Sequence, residues 1–134
     1  MRRETLLGLL LILAVVAASC GGDEEGGTIT LDGQNANDHG TEDVSGETSI
    51  EFELDNFYFQ PTVVQGTAGQ TLTLEAFNEG DAAHTVTSEE LGIDEELEPG
   101  GEATIQVTFP ESGQVVFVCR FHDGQGMRGA LEVA

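Results

Sequence analysis

The sequence predicts an all-β domain over residues 48–134, a sandwich or barrel built from short strands. Apolar and polar residues alternate there with the two-residue period of half-buried strands, and turns rich in glycine or proline separate these runs. No segment of the domain carries an amphipathic helix longer than one turn, which excludes a helical bundle. Eighty-seven residues are enough for a modest hydrophobic core.

The predicted strands follow one another in chain order. Alternation marks residues 50–54, 71–75 and 103–109, and apolar residues at every second position predict a last strand over 129–133. Residues 115–118 are apolar at every position, which predicts a central strand covered on both faces. Pro61 predicts an edge position or a bend in the second strand. The acidic segment 88–98 shows no alternation, and we predict one helical turn there at most.

Residues 1–19 have the pattern of an export signal. Arg2 and Arg3 precede a continuous apolar run over 6–18, which is short for a bilayer span and ends in small residues. The letters "AASC" at 17–20 resemble a bacterial or archaeal lipobox, which implies that Cys20 becomes the lipidated first residue of the mature chain. Ordinary cleavage after Ala18 is the alternative. The export route, general secretory or twin-arginine, stays open.

Residues 20–47 are predicted to form a flexible acidic tether between the lipid and the domain. They contain seven glycines and eight acidic residues and few apolar ones, so they bury too little surface to offset the entropy of ordering. His39 lies in this stretch and is expected to be solvated. The domain would therefore lie outside the cytoplasm, held at the cell membrane in the periplasm or on the outer face.

The charge of the chain limits its partners. The formal net charge is −21, the sequence has no lysine, and Arg120 and Arg128 are the only arginines beyond the export signal. Such a chain repels nucleic acid and anionic lipid surfaces and attracts basic proteins. An acidic, lysine-free surface also suits very salty surroundings, and the sequence leaves both explanations open.

The domain gathers a few rare side chains with affinity for soft metals: His84, Cys119, His122 and Met127. If Cys20 carries lipid, Cys119 has no disulfide partner, and an unpaired thiol outside the cytoplasm is an oxidation liability. An inert, buried cysteine is the alternative explanation. Two imidazoles, one thiolate and one weakly bound thioether form the ligand set of a blue copper site. Glycines within the loop 119–127 allow its backbone to curl around an ion.

The order of the motifs resembles that of a cupredoxin of the plastocyanin type. The fragments "FYFQP", "AGQTLTLEAFN", "AAHTV", "LEPGG", "SGQVVFVC", "RFHDGQGM" and "RGALEV" follow the family's order across essentially all of residues 48–134. The resemblance implies a cupredoxin-like Greek-key β-sandwich or barrel of about seven to eight strands. It also implies one type 1 copper ion, with His84, Cys119, His122 and Met127 as its ligands. Arg120 and Phe121 depart from the family's usual residues and would tune the reduction potential.

The resemblance also suggests roles around the ligands. The backbone of Thr85 would donate a hydrogen bond to the cysteine sulfur. Asn78 would either lock the two ligand loops together or serve as an ordinary turn residue. The phenylalanines expected to form the core are Phe52, Phe59, Phe77, Phe109 and Phe117.

These features predict an electron-transfer protein rather than an enzyme. The ring edge of His122, framed by Gly124 and Ala83, would be the electron port, and the partner would be a cytochrome c or respiratory complex with a basic docking surface. A copper carrier or chaperone that delivers the ion to an extracytoplasmic oxidase is the alternative, because its ligands could be identical. A metal-free adhesive β-sandwich is a third reading, which leaves the ordered ligand set as coincidence. A dinuclear copper centre is disfavoured because it needs a second cysteine in the loop.

Overall fold

The computed structural model describes residues 26–134, so the predicted export signal and Cys20 lie outside the described residues. Within them the chain forms twelve β-strands and one 3₁₀ turn, and none of it is a helix long and apolar enough to cross a membrane. The strands are β1 (Thr28–Leu31), β2 (Gln34–Asn37), β3 (Thr41–Asp43), β4 (Ser49–Asp55), β5 (Tyr58–Gln60), β6 (Val63–Gly66), β7 (Thr71–Asn78), β8 (His84–Ser88), β9 (Ile93–Leu97), β10 (Glu102–Thr108), β11 (Gln114–Val118) and β12 (Arg128–Val133). The 3₁₀ turn is Asp123–Gln125.

Two sheets form the sandwich, and this confirms the predicted all-β class. One has four strands in the order β10-β7-β4-β5, and the other has six in the order β3-β6-β12-β11-β8-β9. The pairs β4–β7 and β6–β12 are parallel because the chain crosses between the sheets, as it does in a Greek key. Strand β11 lies inside the larger sheet, as its apolar run predicted, but it is not fully covered on both faces, because Val116 and Val118 are only half-buried.

The core lies between the sheets and is built on aromatic contacts. Phe117 packs edge-on against Phe52 and Phe59, with ring centroids 5.6 Å and 5.1 Å away. Phe109 is also buried, which confirms four of the five predicted core phenylalanines. Phe77 is the exception. It is half-buried on the outer face of β7, because the inward positions of this strand fall to its even-numbered residues.

The prediction of a flexible tether is wrong for the described part of residues 20–47. Strands β1 and β2 form a hairpin, and β3 extends the larger sheet by pairing in parallel with β6. Leu31 and Ala36 pack with Ala130, and Val44 joins the main core. The average composition of the segment hid a local signal, since its few apolar residues flank an Asp-Gly pair of the kind that closes two-residue hairpins.

Two further differences contribute to a count of twelve strands, where about seven to eight were predicted. The segment 88–98 contains the strand β9, paired with β8, where a helical turn at most was predicted. It lies at the sheet edge and buries only Leu97 among its own residues, so it carries no apolar alternation. Pro61 separates β5 from β6 and divides one predicted strand into two, in agreement with the expected bend.

Candidate metal centre

The sandwich brings the predicted ligands together at one end. His84 is the first residue of β8, and Cys119 follows the last residue of β11. These strands are antiparallel neighbours in the larger sheet, paired at Val118 and Thr87. The start of β8 therefore lies beside the end of β11, although 35 residues separate His84 from Cys119.

Three donor atoms converge there. The two Nδ1 atoms of His84 and His122 are 3.1 Å apart, and the Sγ atom of Cys119 lies 3.9 Å from the first and 3.5 Å from the second. Donors that each bind one first-row ion at about 2.0–2.3 Å stand roughly 3–4 Å apart. The observed triangle has this size. Two imidazoles and one thiolate in this arrangement fit a single copper ion, which would supply one-electron chemistry when bound.

Met127 lies where the loop returns to the sheet. Its carbonyl oxygen accepts a 3.0 Å hydrogen bond from the backbone N–H of Cys119, and its own N–H donates to the carbonyl of His122 at 3.2 Å. The side chain is fully buried and belongs to the same core cluster as Cys119. A thioether shielded from water would be chemically suited to a weak bond to the ion.

The loop holds its shape through local hydrogen bonds. The N–H of His122 donates to the carbonyl of Cys119, and the 3₁₀ turn Asp123–Gln125 follows at once. Gly126 ends this turn with φ of 88°, in the left-handed region that favours glycine. The guanidinium of Arg128 contacts both carboxylate oxygens of Asp123 at 3.1 Å, which fixes the turn to the first residue of β12.

Thr85 supports the cysteine in two ways. Its backbone N–H donates a 3.3 Å hydrogen bond to the Sγ atom, as the resemblance to cupredoxins implied. Its hydroxyl oxygen accepts a 2.9 Å hydrogen bond from the backbone N–H of Arg120, directly after the cysteine. Such contacts fix the direction of the sulfur and delocalise part of its charge.

Of the two roles predicted for Asn78, its contacts support that of a turn residue and not that of a lock between the ligand loops. Its side-chain nitrogen donates to the carbonyls of Ala82 and Leu97, both at 2.9 Å, and its oxygen accepts from the N–H of Gly80. The side chain is fully buried. Asn78 therefore shapes the chain segment that leads to His84 and ties this segment to β9. Its hydrogen bonds do not reach the loop 119–127.

The two imidazoles differ in their surroundings. His84 is fully buried, and burial, followed by the neighbouring His122, lowers the pKa of its ring below the ordinary value. The ring is therefore held neutral near neutral pH, which is the form that binds metals. His122 is only half-buried, so its ring is the part of the donor set closest to solvent.

Sequence reasoning missed an aromatic side chain at the centre. The ring of Phe57 lies 4.5 Å from the ring of His122 and 6.2 Å from the ring of His84, between centroids. It comes from the turn between β4 and β5, where the sequence shows it as one of several neighbouring aromatic residues. Its contact with the imidazoles follows from tertiary packing, and nothing in the local pattern indicates it.

The surface beside His122 is partly apolar. Phe121 is 48% exposed and is the one exposed large hydrophobic side chain found among residues 26–134. The guanidinium of Arg120 lies 5.3 Å from the centre of its ring and also pairs with Asp94 at 2.8 Å. The two departures from the plastocyanin pattern thus stand together on the outside of the site.

A β-sandwich with two imidazoles, one thiolate and one thioether at one end defines a class of mononuclear copper proteins. The family model of the cupredoxin-like domain matches residues 9–133, and the chain belongs to this family.

Individual relatives agree with this assignment. Halocyanin of Natronomonas pharaonis is 33% identical over 79 residues, which are 58% of this chain and 48% of that protein. The chain thus spans about half the length of this curated relative.

Solved structures show the same fold. Dithionite-reduced auracyanin of the photosynthetic bacterium Roseiflexus castenholzii matches with a TM-score of 0.54 and 24% identity, over 66% of this chain and 98% of that one. The metal-binding domain of the Cu(I)-exporting P-type ATPase CopA of Streptococcus pneumoniae D39 matches with a TM-score of 0.55 and 20% identity, over 69% and 96% of the two chains.

Proposed function

We propose that this protein is a type 1 copper electron carrier, tethered to the outer side of a cell membrane, that passes single electrons between redox partners. His84, Cys119, His122 and Met127 are its ligands, and it transforms no substrate. The observation that carries the proposal is the convergence of three donor atoms within 4.8 Å of one another on a cupredoxin fold.

The rigidity of the site suits electron transfer. His84, Cys119 and Met127 are fully buried, and their positions are fixed by sheet pairing and by backbone hydrogen bonds. A site held in this way rearranges little when an electron arrives or leaves, which keeps the barrier to transfer low. The half-buried ring of His122, beside the exposed Phe121, is the port through which electrons enter and leave.

The acidic surface selects the partner. With a net charge of −21 the protein attracts a redox protein that has a basic docking surface, such as a cytochrome c or the exposed domain of a respiratory complex. Cys20 carries the lipid that holds the protein at the membrane, six residues before the first described residue. Mass spectrometry of the membrane fraction tests the anchor. Cys20→Ala should release the protein from the membrane, and an unmodified Cys20 would contradict this part of the proposal.

A copper titration tests the site. Adding one equivalent of Cu(II) to the purified protein should produce an intense visible absorption from thiolate-to-copper charge transfer. Cys119→Ser should abolish this absorption, whereas His39→Gln should leave it intact, because His39 lies outside the donor set. If colour persists without the thiol of Cys119, the assigned ligand set is wrong.

Voltammetry then separates an electron carrier from a copper carrier. The loaded protein should show a reversible one-electron wave and should release its metal slowly to a Cu(I) chelator. Rapid transfer of the metal to an apo-acceptor, without a reversible wave, would instead indicate copper delivery.

A further inference from the structure

We propose that Asn56 is a positioning residue of the metal centre. Its side-chain oxygen accepts a hydrogen bond from Nε2 of His84, and this holds the ring in the tautomer whose free Nδ1 faces the other ligands. The inference rests on the proposed copper site, and its first test needs no metal.

The geometry supplies the contact. The Oδ1 atom of Asn56 lies 2.9 Å from Nε2 of His84, within hydrogen-bond distance. Asn56 comes from the turn between β4 and β5, in the smaller sheet, whereas His84 begins β8 in the larger one. The contact therefore crosses from one sheet to the other at the metal-site end of the sandwich.

The chemistry of imidazole gives the contact its consequence. A neutral ring has one N–H and one free lone pair, and the partner of one nitrogen decides which nitrogen carries the proton. An oxygen facing Nε2 needs an N–H there, so the lone pair lies on Nδ1. That atom is 3.1 Å from Nδ1 of His122 and 3.9 Å from Sγ of Cys119. A proton on Nδ1 would occupy the place where the ion must bind.

Gly80 keeps the contact close. A Cβ atom at this position would lie 2.5 Å from Oδ1 of Asn56 and 2.8 Å from Nε2 of His84, nearer than real Cβ atoms approach. Gly80 also donates its N–H to Oδ1 of the buried Asn78 at 2.9 Å, so its own backbone is held in place. The absence of a side chain at Gly80 is thus required for the pair to meet.

Two matched substitutions test the role of the oxygen. Asn56→Leu keeps a similar volume and removes the acceptor, whereas Asn56→Asp keeps an oxygen that can accept. Nitrogen-15 NMR of the metal-free protein reports the tautomer of His84 directly. We expect the Nε2–H form in the wild type and in Asn56→Asp, and a mixture of both forms in Asn56→Leu. Retention of the pure Nε2–H form in Asn56→Leu would overturn the proposal.

Copper affinity gives the second readout. Competition with a chelator should show binding weakened roughly 10- to 100-fold in Asn56→Leu, the usual effect of losing an outer partner of a ligating histidine, and near-normal binding in Asn56→Asp. Equal affinities in the two variants would contradict the proposal.

Gly80→Ala provides an independent route to the same effect, because its methyl group would push the amide away without changing Asn56 itself. It should shift the tautomer and weaken copper binding as Asn56→Leu does, and a normal tautomer in Gly80→Ala would count against the proposal. If the wild-type protein formed no coloured copper complex, the proposed function would fail. The tautomer measurement would still decide the role of Asn56.

Discussion

The side-chain amide of Asn37 donates a 2.9 Å hydrogen bond to the carbonyl oxygen of Gln125, in the loop between the two C-terminal ligands. The same nitrogen donates to the carbonyl of Phe57 at 2.8 Å, and the backbone N–H of Asn37 donates to the carbonyl of Gly126 at 2.9 Å. One residue of β2 therefore joins the ligand loop to the turn that carries Phe57. The N-terminal segment predicted to be a free tether is part of the support of the metal centre.

Asn37→Ala should loosen the ligand loop without removing a ligand. The variant loses two side-chain hydrogen bonds, one of them partly buried, so we expect the free energy of unfolding to fall by about 1–2 kcal/mol. Copper should dissociate faster, while the visible spectrum stays close to that of the wild type. Asn35→Ala is the matched control, since Asn35 is exposed on the same strand. Equal stability and equal copper release in the two variants would show that the brace has no effect.

Met127→Leu should keep the colour of the copper protein and raise its reduction potential. The thiolate that gives the absorption remains, but the oxidised ion would lose a soft sulfur donor, and losing a weak donor of this kind favours the reduced state. Leucine also conserves the apolar volume at this fully buried position. Met127→Gln, which offers an oxygen donor, should shift the potential downwards instead. Potentiometry on the three loaded proteins measures both shifts, and identical potentials would remove Met127 from the ligand set.

The donor set could be predicted from the sequence because its members are rare. His84 and Cys119 belong to residue types that occur once or twice in the domain, and alternation placed Cys119 at the end of a strand. Asn56, Phe57 and Asn37 could not be identified in the same way. Their types are common in turns and strands, and their roles arise only where distant segments pack together.

The fold was predictable to a similar extent. Strands that alternate, such as β4 and β10, were found because one face is buried and the other is exposed. Strand β9 was not predicted because it lies at an edge with most of its side chains in solvent, so that burial imposes no pattern on its sequence. The hairpin β1–β2 was not predicted, although the sequence shows its Asp-Gly turn, because the surrounding composition resembles that of disordered chains.

Glu53→Gln should stabilise the protein at neutral pH. Burial, followed by the carboxylates of Glu79, Glu51 and Asp55, raises the pKa of Glu53 above its ordinary value of 4.5. The protonated form is therefore favoured on folding, and the stability that it contributes is present below pH 4.5 and lost as the pH rises through the raised pKa.

A neutral glutamine removes this loss. Because the group is largely solvated, the gain in unfolding free energy at pH 7 should be only about 0.5 kcal/mol in low salt. Denaturant unfolding at pH 7 and pH 3.5 measures it, with Glu111→Gln, in the exposed turn before β11, as the control. A gain of the same size at both pH values would show that the charge of Glu53 is not its cause.

Electron exchange with a basic partner should slow as salt is added, because screening removes the long-range attraction that a net charge of −21 exerts. Horse cytochrome c serves as the basic probe, and stopped-flow mixing over a range of ionic strengths gives the bimolecular rate.

Phe121→Ser should lower the rate at every ionic strength and leave the salt dependence unchanged, since it removes an exposed apolar contact and no charge. A combined Glu51→Gln, Glu75→Gln variant should weaken the salt dependence only slightly, because these two residues, which face one another on β4 and β7, carry a small part of the net charge. A wild-type rate that ignores ionic strength would rule out electrostatic steering and leave adaptation to salty surroundings as the explanation of the acidic surface.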